Sequence, residues 1–150
     1  MPNPYTTASS SEVIHNYVLG MINAVKVANG IVDVFYGDER KLPRTPTVCV
    51  VPGPELNSYN GVGGRPVMKV FTTYVMVYIS KVQDHQLNVH ASLTLANTLM
   101  NVVHADPTLG GNAIDCLVTN LDPGLAVKAG TLYDASRLTL RSRSKVVLNP

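Results

Sequence analysis

The stretch that decides the fold is Val67-Met68-Lys69-Val70-Phe71-Thr72-Thr73-Tyr74-Val75-Met76-Val77-Tyr78-Ile79-Ser80-Lys81-Val82. It is dense in β-branched and aromatic residues and reads as one strand. Side chains alternate across a strand, so Val67, Phe71, Val75, Val77 and Ile79 fall on one face and Met68, Val70, Tyr74, Met76 and Tyr78 on the other. Both faces are apolar, and both need cover. At roughly 3.3 Å per residue the strand would span about 50 Å, well beyond the usual length, so it bends or projects from the domain.

The segments around this strand supply its cover. Downstream, Asp84–Val103 carries Val89, Leu93, Ala96, Leu99, Met100 and Val103 as the buried stripe of a helix. Upstream, Ser9 and Glu12 have capping-box spacing. Behind them Val13, Ile14, Tyr17, Val18, Met21, Ile22 and Val25 recur at helical spacing until Asn29-Gly30 ends the run. Between these helices, Ile31–Tyr36 reads as a strand, Gly37–Pro46 as an exposed connection and Thr47–Val51 as a strand stopped by Pro52-Gly53-Pro54. Residues 52–65, rich in glycine and asparagine, read as a mobile loop, with Tyr59, Asn60 and Arg65 as candidate contact residues. Past the second helix come a strand at Ala113–Thr119, a return over Asn120–Gly130 through Asp122-Pro123-Gly124, and a last strand at Thr131–Arg143. The expected fold is α+β, a mainly antiparallel sheet with two helices packed on one face, in the order α-β-β-β-α-β-β. Residues 1–8 read as a flexible tail and 9–150 as a single domain. Two helices cover one face only, so the second apolar face points to a neighbouring copy of the chain.

Composition narrows the function. The chain has 150 residues, 45% of them hydrophobic and only 15% charged, a surplus of apolar surface that a subunit contact would hide. A formal net charge of +2 is too small to argue for nucleic-acid binding. Cys49 and Cys116 lie in apolar strand-like runs and read as buried thiols rather than a disulfide. No signal peptide or membrane span is expected, since Met1–Ser11 is polar and the apolar runs are short. Gly61-Val62-Gly63-Gly64 leads into a strand and lacks the Gly-Lys-Ser/Thr ending of a phosphate loop. His85 and His90 are five apart, the wrong spacing for two metal ligands on one helix face. No serine or cysteine has a recognisable nucleophile setting, and the carboxylates are scattered. The expectation is a protein with no catalytic residues, cofactor or metal.

Two features remain. Arg137, Arg141 and Arg143 alternate with Leu138 and Leu140, which places the arginines on the face opposite the leucines. They are candidates for a charged seam between subunits or the wall of a ring's opening, because the planar guanidinium pairs bidentately with carboxylates; the alternative is a solvated strand. The second is Asp106-Pro107-Thr108-Leu109-Gly110-Gly111. Asp106-Pro107 ends the helix, and Gly110-Gly111 turns the chain through positive φ.

A long strand, a helix, an Asp-x-Thr-Leu-Gly-Gly-like turn and a closing hairpin follow one another here as Val67–Val82, Asp84–Val103, Asp106–Gly111 and Asn112–Arg143. In this the chain resembles the tail-terminator proteins of long-tailed bacteriophages. The resemblance implies a structural virion protein that forms a ring, commonly six-fold, on the head-proximal end of the tail tube. Such a ring ends tube polymerisation and joins the tail to the head connector. Its implied partners are further copies of the chain, the tail tube protein and the head–tail connector protein, with DNA only as passing cargo. The implied location is the neck of the virion, after assembly in the host cytoplasm. One alternative is another neck component, a tail-completion or head–tail adaptor protein. From a different class, the alternative is a small oligomeric enzyme or ligand-binding domain whose site forms between subunits.

Overall fold

The computed structural model describes residues 11–38, 42, 44–59, 66–81 and 85–145. The elements are α1 (Ser11–Val25), β1 (Asp33–Tyr36), β2 (Thr47–Tyr59), β3 (Pro66–Lys81), α2 (His85–His104), a 3-10 turn at Leu109–Gly111, β4 (Asp115–Lys128) and β5 (Thr131–Lys145). The strands form one sheet in the order β1-β2-β3-β5-β4, in which only β1 and β2 run parallel. The architecture is α+β with the element order read from the sequence. The Ser9 cap lies outside the described residues.

Both helices lie on one face of the sheet, and the main core forms between. Ile14, Val18 and Ile22 of α1 and Ala96, Leu99 and Val103 of α2 pack with Val48, Val50, Phe71, Val75, Leu138 and Leu140 of the strands. Every second residue of β3 from Phe71 to Ile79 is buried here, as its alternation requires. His15 faces the same core, with Nδ1 2.8 Å from Thr73 Oγ1. Burial holds the His15 imidazole below its usual range.

The opposite, outer face is covered at one end by the chain itself. Leu42, Cys49, Tyr78, Tyr133 and Ala135 form a second apolar cluster there. The 37–46 connection, expected to be wholly exposed, thus contributes a buried residue. It is tied down through Asp38, which accepts a hydrogen bond from Tyr78 (2.9 Å) and pairs with Lys128 Nζ (2.5 Å). Lys128 also lies 5.4 Å from the centre of the Tyr78 ring. Burial first, and Asp38 second, push the Tyr78 phenol far above its usual pKa.

Two segments expected to be irregular are strand. Residues 52–59 are not loop: β2 continues through Pro52 and Pro54 to Tyr59, with a register shift between Pro52 and Glu55. β1 stops pairing at Val50, so β2 is an edge strand beyond it, where a proline removes no ladder bond. Gly53 lets this edge run close to β3, since a Cβ there would lie 2.8 Å from Tyr74 Cε2 and 3.0 Å from Thr72. The remainder of the expected loop, Asn60 to Arg65, lies outside the described residues. Likewise Asp122-Pro123-Gly124 is not a turn but the middle of β4, again an edge strand. The chain reverses later, at Ala129-Gly130, both with positive φ.

Candidate assembly surface

The Asp106–Gly111 turn clasps the two helices together. Gly110 and Gly111 have φ of +66° and +91°, the conformations that the turn demands of glycine. The Gly110 N–H donates to Asp106 Oδ1 at 3.1 Å, and Tyr17 of α1 donates its hydroxyl to Asp106 Oδ2 at 2.5 Å. The Tyr17 bond, then that of Gly110, hold the Asp106 carboxyl below its usual range. Leu109 between them is buried in the main core. Pro107 follows the carboxylate and keeps the helix from continuing. Asp106, Gly110 and Gly111 thus shape the turn, and Tyr17, expected only as one of the apolar positions at helical spacing, is its partner on α1.

The arginines of β5 lie together on the outer face, as the alternation predicts. Arg137 and Arg143 are each paired with the neighbouring strand. Arg143 forks onto Asp115, its Nε 2.9 Å from Oδ1, with a second bond from Nη2 to Oδ2. Arg143 holds the Asp115 carboxyl below its usual range and is itself held above the ordinary guanidinium value. Arg137 reaches Asp122 at 3.4 Å and sits 5.3 Å over the Tyr74 ring. Arg141, between them, makes no ion pair among the described residues. Its cross-strand neighbours are Thr72 and Leu117, and Leu117 is 54% exposed. Met68, Val70, Tyr74 and Met76 of β3 are half-buried on this face. The open part of the outer face is therefore a mixed surface, with a guanidinium at its middle that has no ion-pair partner among the described residues.

Tyr59 ends β2 opposite Pro66, at the far end of this strand pair. It is distant in register from Arg137, which lies opposite Met76. Asn60 and Arg65, the other loop candidates, are outside the described residues. Of the interface candidates among the described residues, the three arginines are brought together. Their partners Asp115 and Asp122 were missed, and the hairpin explains why. Once the chain turns at Ala129-Gly130, β4 folds back along β5 and sets Asp122 opposite Arg137 and Asp115 opposite Arg143. The expected return, Asn120–Gly130, includes the true reversal at Ala129-Gly130, but placing its turn at Asp122-Pro123-Gly124 left the pairing of β4 with the arginines unseen.

No family model matches the sequence, and no curated protein is significantly similar to it.

Other chemistry is sparse. Among the described residues there is no group of three or more histidine, cysteine or carboxylate side chains placed to hold a metal ion. Cys49 and Cys116 are buried and not in a disulfide; burial raises the Cys116 thiol. His104 accepts a hydrogen bond from the Val118 N–H at 3.1 Å, tying the end of α2 to β4. No helix among the described residues is long and apolar enough to cross a membrane.

Proposed function

We propose that this chain is a structural subunit of a ring that caps a phage tail tube, ends tube polymerisation and joins the tail to the head connector. The observation that carries the reading is the outer sheet face. Its one end is closed by the chain's own Leu42 cluster, while the other is left with half-buried apolar residues around Arg141, which makes no ion pair among the described residues. A solvated strand gains nothing from such a mixture, whereas a contact surface uses both parts. The apolar residues supply burial, and the guanidinium selects a carboxylate-bearing partner. The order of strand, helix, glycine turn and hairpin on which the phage resemblance rests agrees with the fold.

The test is electron microscopy of the purified chain, alone and mixed with tail tubes. Rings seated on tube ends are expected; free tubes beside unassembled protein would refute the proposal. Charge reversal at Arg141 adds a residue-level test. The Arg141→Glu chain should fold normally by circular dichroism and lose ring or tube association, since a misplaced charge at such a contact costs several kcal/mol. A variant that still assembles and caps tubes would return this face to solvent.

A further inference from the structure

A second pair of surfaces lies on the other side of the sheet, away from the arginines. The β4–β5 hairpin runs on past its helical cover. Leu125, Val127 and Leu132 continue the helix-side row that begins with the packed Leu121 and Leu138, yet they are 53%, 65% and 40% exposed. They form an aliphatic ridge. On the opposite flank of α2, between that helix and Asn29 and Pro46, is a groove of about 370 Å³. Its floor is Ile79, its wall Ala91 and Leu95, and its rim Thr94, Thr98 and His90.

The two features stand at the same level of the sheet. Strand register sets Tyr133 opposite Lys81 and Asp134 opposite Ser80, next to the groove floor. The Ser92–Ser136 hydroxyl bond fixes α2 between them. Among the described residues neither lysine, arginine, aspartate nor glutamate lines the groove, and the ridge residues are all aliphatic, so the contact between these residues buries no charged side chain.

We propose that the ridge of one copy seats in the groove of the next. Ridge and groove lie on opposite flanks, so the contact is head-to-tail, and repeated with the right rotation it closes a ring. A reciprocal two-fold dimer, each ridge in the other's groove, would stop at two copies, whereas the head-to-tail contact adds a third. Three partly exposed aliphatic residues provide less area than the roughly 800 Å² per partner of a standard interface. The ridge is thus the anchor of the contact, and the adjoining hairpin supplies its rim. The proposal rests on the reading that the chain assembles with itself and is independent of what the ring caps.

The test uses two variants of the full chain. Val127→Asp spoils the ridge and leaves the groove; Ala91→Asp spoils the groove and leaves the ridge. Both positions are exposed, and circular dichroism checks that each variant is folded, with Leu125→Asp as the replacement ridge variant. Each variant alone should associate at least about tenfold more weakly than the unmodified chain in sedimentation velocity. Mixed together, they retain one intact contact, from the Ala91→Asp ridge to the Val127→Asp groove. The mixture should give a one-to-one dimer by native mass spectrometry and nothing larger. Variants that assemble like the unmodified chain, or a mixture that stays monomeric, would overturn the proposal, as would an unmodified chain that is monomeric at high concentration. Rings built through this contact that ignore tail tubes would refute the neck function and leave this inference standing.

Discussion

Gly110→Ala separates two reasons for a glycine at one site. Gly110 and Gly111 both have positive φ, so alanine at either position incurs a backbone cost of ~1–2 kcal/mol. Only at Gly110 is the new methyl also obstructed. An ideal Cβ would lie 2.6 Å from the Tyr17 hydroxyl, 2.7 Å from Cε2 and 2.9 Å from Cζ, whereas nothing stands within 4 Å of one at Gly111. The Tyr17 ring must move, at a cost typical of overpacking, ~1–3 kcal/mol. Gly111→Ala should therefore destabilise by ~1–2 kcal/mol and Gly110→Ala by about 2 kcal/mol more. For a chain of this size the gap corresponds to a melting temperature ~4–8 °C lower. Urea denaturation of both variants measures it. A cycle with Tyr17→Ala then isolates the clash, because removing the ring should make Gly110→Ala cost no more than Gly111→Ala. Equal destabilisation at the two glycines in the presence of Tyr17 would show that the clasp between α1 and the turn has been misread.

Three further outcomes follow from the same geometry. Burial lowers the His15 pKa in the folded state, so below the unfolded value of about 6.5 the unfolded chain binds the proton more readily; stability should fall as pH drops from there until the folded pKa is passed, and His15→Phe should remove that part of the slope in denaturation measured at stepped pH. Gly53→Ala, whose Cβ would meet Tyr74 and Thr72 at 2.8 and 3.0 Å, should lower urea stability by ~1–3 kcal/mol, and an unchanged midpoint would contradict the close approach of β2 and β3. Cys49 and Cys116 should react with a thiol reagent only at the rate of unfolding, so rapid labelling of the folded chain would show that one of the two clusters opens.

Local pattern made the layers of this fold legible. The helical spacing of Ile14, Val18 and Ile22, the two-residue alternation from Phe71 to Ile79, and the glycines at 110 and 111 each state a periodicity or a backbone demand that the fold obeys. The two misread segments share a single cause. Pro52, Pro54 and Pro123 are strand breakers only when both sides of a strand are paired. Whether a strand lies at an edge depends on the sheet order β1-β2-β3-β5-β4, which brings distant segments together and leaves no local trace. The same limit hid Tyr17 as the partner of Asp106, which stands 89 residues away.

The arginine row shows how edge position also shapes a surface. Alternation alone puts Arg137, Arg141 and Arg143 on one face but treats them as equals. The neighbouring strand distinguishes them, since β4 offers Asp122, Leu117 and Asp115 opposite the three in turn. Exposed ion pairs such as those of Arg137 and Arg143 contribute little to stability; what they do is fix two guanidinium groups and neutralise them locally. Arg141 faces a leucine and has no ion-pair partner among the described residues. If β4 and β5 had evolved only for cross-strand pairing, an acidic residue at position 117 would complete the ladder. Leu117→Glu therefore makes a sharp test. It should leave the fold intact, draw Arg141 into a third cross-strand pair, and weaken assembly as Arg141→Glu does, this time without reversing any arginine. Rings that tolerate a paired Arg141 would show that its availability is irrelevant to the contact.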